Sequence, residues 1–134
     1  MKNPVERLAE RLIHGDSQKA ALVFSEKNRF YFTQFPASDG ALLVTAEEAY
    51  LLMDFRYEEA ARYKAKDCAV VGFESLLGKL GELIQKHGIK QVYLETEQLS
   101  VAQARRFEAS FRKAGAEAVL DDTLDNAIRD QRMI

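Results

Sequence analysis

The sequence predicts an α/β domain: a mixed β-sheet flanked by helices. Short apolar runs crowd the first half, strand-like and helix-like segments alternate in the second, and glycines with capping residues punctuate the joins. Hairpins followed by strand–helix units give antiparallel pairing and then parallel crossovers, with helices packed on the sheet. At 134 residues, 47% of them hydrophobic, the chain suits one domain spanning 1–134 with a single sizeable core.

The first element is a helix with Asn3 as its cap, Pro4 in its first turn and Glu6 completing a capping box. Val5, Leu8, Ala9, Leu12 and Ile13 recur at helical spacing and Gly15 stops the run. Ala20–Ser25 and the aromatic Arg29–Thr33 read as two strands joined by a Glu26-Lys27-Asn28 turn. Gln34–Gly40 is irregular, rich in Pro, Ser, Asp and Gly, and the strand pair Ala41–Thr45 and Tyr50–Met53 follows, extending the meander to as many as four strands.

At Asp54 the period turns helical, with the Asp54 side chain placed to cap the first turn. An inner strand over Cys68–Gly72, a helix over Glu74–His87 closed by Gly88, and a strand over Ile89–Glu95 come next. Ser100 and Gln103 form a second capping box, ahead of a helix whose apolar face is Val101, Ala104, Phe107 and Phe111 and whose end is Gly115. A short strand, Ala116–Leu120, and a helix from Asp122 complete the chain.

Charge and composition exclude several functions. With 19 basic and 21 acidic residues, no basic excess exists to neutralise a nucleic-acid backbone. The N-terminal segment lacks the apolar stretch of a signal peptide or membrane span, and the single Cys68 cannot pair internally. A cytoplasmic location is expected. No phosphate-binding glycine loop, zinc-type His/Cys spacing or nucleophile elbow is present.

The titratable residues divide into structural and functional candidates. His14 and His87 end predicted helices, where an imidazole meets the negative end of the dipole, and neither is assigned to catalysis. Cys68 reads as a small buried hydrophobe. Asp39, Asp54, Glu95 and Asp121 fall near strand ends. Such carboxylates either cap helices or converge on a divalent metal, so a self-standing metal-dependent hydrolase using Asp39, Asp54 and Glu95 is one alternative. Two stretches exceed what capping and packing require. One is Gln34–Gly40, with Phe35 and Pro36 beside Ser38 and Asp39; the other is Asp54-Phe55-Arg56-Tyr57, where Arg56 suits a carboxylate or an aromatic and Tyr57 offers a hydroxyl.

Those two stretches resemble the N-terminal domain of the creatinase and Xaa-Pro peptidase family. The likeness runs through Asn28-Arg29-Phe30-Tyr31-Phe32-Thr33, Phe35, Ser38-Asp39-Gly40-Ala41 and Asp54-Phe55-Arg56-Tyr57, and extends to Gly88-Ile89-Lys90, Glu95 and Arg132-Met133-Ile134. Gln34 stands where the family usually has glycine, so a left-handed backbone there would carry strain unless the turn itself has changed. The resemblance implies a ribonuclease-H-like fold without nuclease activity.

It further implies a noncatalytic domain of a metal-dependent Xaa-Pro dipeptidase or aminopeptidase P. The chemistry would belong to a C-terminal pita-bread domain absent from this chain, holding two divalent metals, manganese or cobalt. Catalytic, cofactor and metal residues are accordingly assigned to none here. The implied partners are that catalytic domain, a second subunit in a homodimer, and a proline-containing peptide substrate. Phe35, Ser38 and Asp39 are expected near the rim of a partner's substrate cleft, and Arg56 with Tyr57 at a domain or subunit contact. A simple homodimerisation module is the remaining alternative.

Overall fold

The computed structural model describes residues 2–37 and 39–133. Six strands, β1 (Lys19–Val23), β2 (Ala41–Thr45), β3 (Ala49–Asp54), β4 (Ala69–Phe73), β5 (Gln91–Leu94) and β6 (Glu117–Val119), form one sheet in the order β4-β3-β2-β1-β5-β6. β2 is antiparallel to both its neighbours, whereas β1 pairs with β5, β3 with β4 and β5 with β6 in parallel. Five strands therefore point one way and β2 the other, the mixed sheet expected.

Alternation along β1 divides the apolar interior between two faces. Ala21 and Val23 pack with residues of α1 (Pro4–Leu8), α3 (Glu58–Lys64) and α6 (Thr123–Arg132), while Ala20 and Leu22 pack with α4 (Leu76–His87) and α5 (Val101–Lys113). Both capping boxes form: the Glu6 amide donates to Asn3 Oδ1 at 2.8 Å and the Gln103 amide to Ser100 Oγ at 3.0 Å. After α1 the helix loosens into a π-helical turn, Ala9–Ile13, which ends with His14 in the left-handed region at φ 51°. The α5 face differs from expectation at Val101, which is exposed, while Phe107 and Phe111 are buried.

Arg29–Thr33 is not a strand. The whole segment Glu26–Thr33 is a helix, α2, and the meander has three strands, β1 to β3. The burial explains why: Arg29, Phe32 and Thr33 turn inward, at the i, i+3, i+4 spacing of one helical face. β-favouring aromatics were outweighed by that face and by a cap supplied from another strand, described below. Cys68 also departs from expectation. It precedes β4, which is an edge strand rather than an inner one. The last helix starts at Thr123, whose amide is capped by Asp121 Oδ1 at 2.9 Å.

Candidate functional site

All the stretches singled out in the sequence meet at one end of the sheet, where β1, β3 and β5 finish. The register Ala41↔Leu52 sets Asp39-Gly40, which leads into β2, beside Met53-Asp54, which ends β3. Gly40 is needed for this approach. Its φ is +115° and a side chain there would lie 2.4 Å from the Leu52 carbonyl oxygen. Open α/β sheets characteristically bind ligands at this carboxyl end.

Glu95 is the buried centre of this region. One carboxylate oxygen accepts from the amides of Phe24 and Ser25, and the other from Ser25 Oγ and Asn28 Nδ2, both at 2.7 Å. Glu95 thereby caps α2 across the sheet, since the start of a helix has free amides and a positive dipole end. Asn28 in turn accepts from Arg132 of α6 at 2.7 Å, and the Arg132 guanidinium lies 5.1 Å from the Tyr31 ring centroid. Arg29, buried beside this node, donates from Nε to the Phe24 carbonyl and from Nη1 to those of Ala37 and Asp39 at 3.1 and 2.9 Å. Burial lowers the pKa of its guanidinium, while Glu26, Asp39 and Glu95 oppose that shift. Arg29 therefore pins the Gln34–Gly40 segment to the sheet.

That segment begins with Gln34 in the left-handed conformation at φ 61°, ending α2 as glycine commonly does. The strain foreseen for a nonglycine residue is present there, and the Gln34 amide group offsets part of it by donating to the Tyr31 carbonyl at 3.1 Å. Phe35 is buried rather than displayed. It is 8% exposed and packs in the core with Leu42 and Met53, an anchor for the loop. Pro36 and Asp39 are exposed, Phe30 of α2 is 45% exposed, and Ser38 lies outside the described residues. Sequence reading missed the display of Phe30, which follows from α2 being a helix whose inner face is Arg29, Phe32 and Thr33.

Asp54 and Arg56 form the exposed counterpart. Asp54 Oδ1 accepts from the Arg56 amide and from Arg56 Nε, both at 3.0 Å. The hydrogen bonds from Arg56 hold the Asp54 carboxyl below its usual range, and the guanidinium is correspondingly raised. Arg56 also lies 5.4 Å from the Tyr57 ring centroid, a cation–π distance. Phe55, 62% exposed, and Tyr57 face outward next to it.

The carboxylates do not gather. Among the described residues no three His, Cys, Asp or Glu side chains could jointly hold a metal ion. Glu95 is engaged by four donors and Asp54 by Arg56, and Asp121 caps α6. Cys68 is half-buried, and desolvation with the neighbouring Asp67 pushes its thiol up to about 11. His14 Nδ1 lies 3.2 Å from the Glu10 carbonyl, and His87 Nε2 lies 2.7 Å from the Tyr50 hydroxyl, under the β2–β3 turn.

Comparison with known proteins gives the family and the fold. The model of the creatinase/prolidase N-terminal domain matches residues 5–134. A stretch of 89 residues is 32% identical to a Mycoplasma genitalium protein assigned as an Xaa-Pro aminopeptidase, covering 66% of this chain and 25% of that protein. The chain thus spans about a quarter of the length of the curated relatives it matches. In fold it is similar to a proline dipeptidase structure from Streptococcus pneumoniae, at a TM-score of 0.81 and 20% identity over 99% of both chains. It is also similar to an X-Pro aminopeptidase from Thermotoga maritima, at 0.79 and 23% identity over 99% of this chain and 36% of that one. The family match over residues 5–134 means that this chain belongs to the creatinase/prolidase N-terminal domain family.

Proposed function

We propose that this domain is the noncatalytic part of a metal-dependent Xaa-Pro dipeptidase or aminopeptidase, supporting dimerisation and walling the substrate cleft of the complete hydrolase. The observation that carries the reading is the pairing of a buried anchor with an exposed display: Arg29 and Phe35 fix the Gln34–Gly40 loop, and Asp39, Arg56 and Tyr57 remain outward at the same end of the sheet. A rigid scaffold presenting charged and aromatic groups from loops suits a cleft wall. Phe35 contributes by holding the loop, not by touching the substrate.

The two divalent metals, manganese or cobalt, belong in this reading to a catalytic domain adjoining this one. The donors of this chain do not fit such a centre, because Glu95 and Asp54 are already committed to amide and guanidinium partners. The reading includes a homodimer, a proline-containing peptide as substrate of the complete protein, and a cytoplasmic location. Among the described residues no helix is long and apolar enough to cross a membrane.

The test is to assay the 134-residue chain and the longer product of the same gene against an Xaa-Pro dipeptide and an Xaa-Pro tripeptide with added manganese. Hydrolysis is expected only from the longer protein, and the preferred substrate separates dipeptidase from aminopeptidase. Turnover by the 134-residue chain alone would overturn the noncatalytic assignment. In the longer protein, Arg56→Ala is expected to lower kcat/KM or weaken the dimer, and unchanged kinetics with an unchanged dimer would remove Arg56 from the cleft.

A further inference from the structure

We propose that the free edge of β4 docks a second copy of this chain: Ala69–Phe73 pairs antiparallel with the same strand of its partner, joining two six-stranded sheets into one. The inference rests on the dimeric part of the reading above and names the surface responsible. β4 is outermost in the sheet and pairs only with β3, from Tyr50↔Ala69 to Asp54↔Phe73. Alternate backbone groups of β4 therefore face away from the sheet, and among the described residues no hydrogen bond reaches them. An open row of this kind is a template for another strand.

The two sheet edges are treated differently. β6 is three residues long, and its exposed Glu117 puts a charge on that edge. Shortness and charge are the usual protections against edge pairing. β4 has five residues, Ala-Val-Val-Gly-Phe, without proline, lysine or any charge, and none of the five is fully buried. Val70 packs toward one core and Ala69, Val71 and Phe73 toward the other, so the strand is apolar on both faces. Glu58 is laid against it, but on the face, where Gly72 lacks a side chain, and Arg62 neutralises it. Phe55 and Tyr63, 62% and 84% exposed, lie on the segment that packs beside β4.

Charge selects the partner and its direction. Lys64 and Lys66 precede β4 and Glu74 follows it, all exposed and none with an ionic partner among the described residues. Asp67 leaves the leading end still net positive. Antiparallel pairing of two copies sets the basic end of each strand against the acidic end of the other, at both ends of the seam. Such a contact is its own complement about a two-fold axis and closes at a dimer, whereas β4-to-β6 pairing would propagate without closing.

The experiment is sedimentation or light scattering of the 134-residue chain at high micromolar concentration. A mass of about 30 kDa is expected, twice the 15.2 kDa of the chain. Val71→Lys should return it to the monomer mass, and Val119→Lys on the β6 edge should leave the dimer intact. A second measurement does not depend on how well Val71→Lys folds. In a Cys68→Ala background, Val70→Cys or Val71→Cys, whichever sits nearer the two-fold axis, should form an intermolecular disulfide with oxidised glutathione, because paired strands bring Cα atoms within bridging distance. A monomeric parent chain overturns both the edge and the dimeric reading. A dimer that persists in Val71→Lys and gives no cross-link overturns the edge alone, and growth into polymers identifies head-to-tail pairing and overturns the closed seam.

Discussion

Two polar clusters sit at the carboxyl end of the sheet, each built around a carboxylate and an arginine and opposite in burial. Glu95, Asn28 and Arg29 form one; Asp54, Arg56 and Tyr57 form the other. In the first, a fully buried carboxylate receives four donors and a buried guanidinium three acceptors, and every partner belongs to the fold. In the second, the Arg56 side chain is 63% exposed and spends two donors on a single neighbour, leaving the aromatic rings beside it uncovered. The comparison teaches that motif membership does not reveal a residue's role. Water access does: a buried polar group left without its partner costs the full desolvation penalty, whereas an exposed one finds water.

The largest contrast comes from removing Glu95. Glu95→Ala strands the amides of Phe24 and Ser25 and the Asn28 side chain, and is expected to cost at least about 3 kcal/mol in urea denaturation. A loss below about 1 kcal/mol would show that water replaces the carboxylate. Next, Arg29→Met frees the carbonyls of Phe24, Ala37 and Asp39 and should cost about 2–3 kcal/mol, with faster amide exchange confined to the Gln34–Gly40 segment. Uniform acceleration across the sheet would contradict a loop-pinning role.

A smaller and opposite effect is expected at Gln34. Its left-handed backbone costs an L-residue about 1–2 kcal/mol, part of which its side-chain hydrogen bond returns. Gln34→Gly should therefore raise stability by up to about 1 kcal/mol. Destabilisation would mean that the hydrogen bond to Tyr31 outweighs the strain.

The smallest effect on folding belongs to Arg56→Ala, which should leave the melting temperature of the isolated chain unchanged, since the pair is solvent-exposed. Its signature is a titration. The depressed Asp54 pKa means that the pair's contribution is complete above the ordinary carboxylate value and is lost as pH falls through the lowered one. In Arg56→Ala the Asp54 titration followed by NMR should move up toward the ordinary carboxylate range, with the backbone amide of residue 56 still holding part of the shift. No movement would detach Asp54 from Arg56.

Much of this was legible in the residues. Asn3 with Glu6 and Ser100 with Gln103 announced two helix starts, because a capping box is local and needs only four consecutive residues. Asp54 was likewise read as a cap, and its side chain accepts from the Arg56 amide. α2 was misread because its cap is distant: Ser25 makes no side-chain cap of its own, and the carboxylate that serves comes from Glu95, 70 residues along the chain. The same error displaced Phe35, which looks like an exposed knob beside Pro36 until the helix before it directs its ring inward. β4 was taken for an inner strand because an apolar run fits an inner or an edge strand, and order in the sheet is set by crossovers rather than by composition.

The sequence by itself determined the fold class, the two capping boxes and the family. These are encoded in spacings of two to four residues or in motifs read in order. Only the tertiary structure decided which motif residues are anchors and which are displayed, that Gln34 takes the left-handed turn, and that one sheet edge is left open. Each of those depends on residues far apart in the chain meeting across the sheet. Solvent access, which separates a buried Glu95 from an exposed Arg56, exists only once they have met.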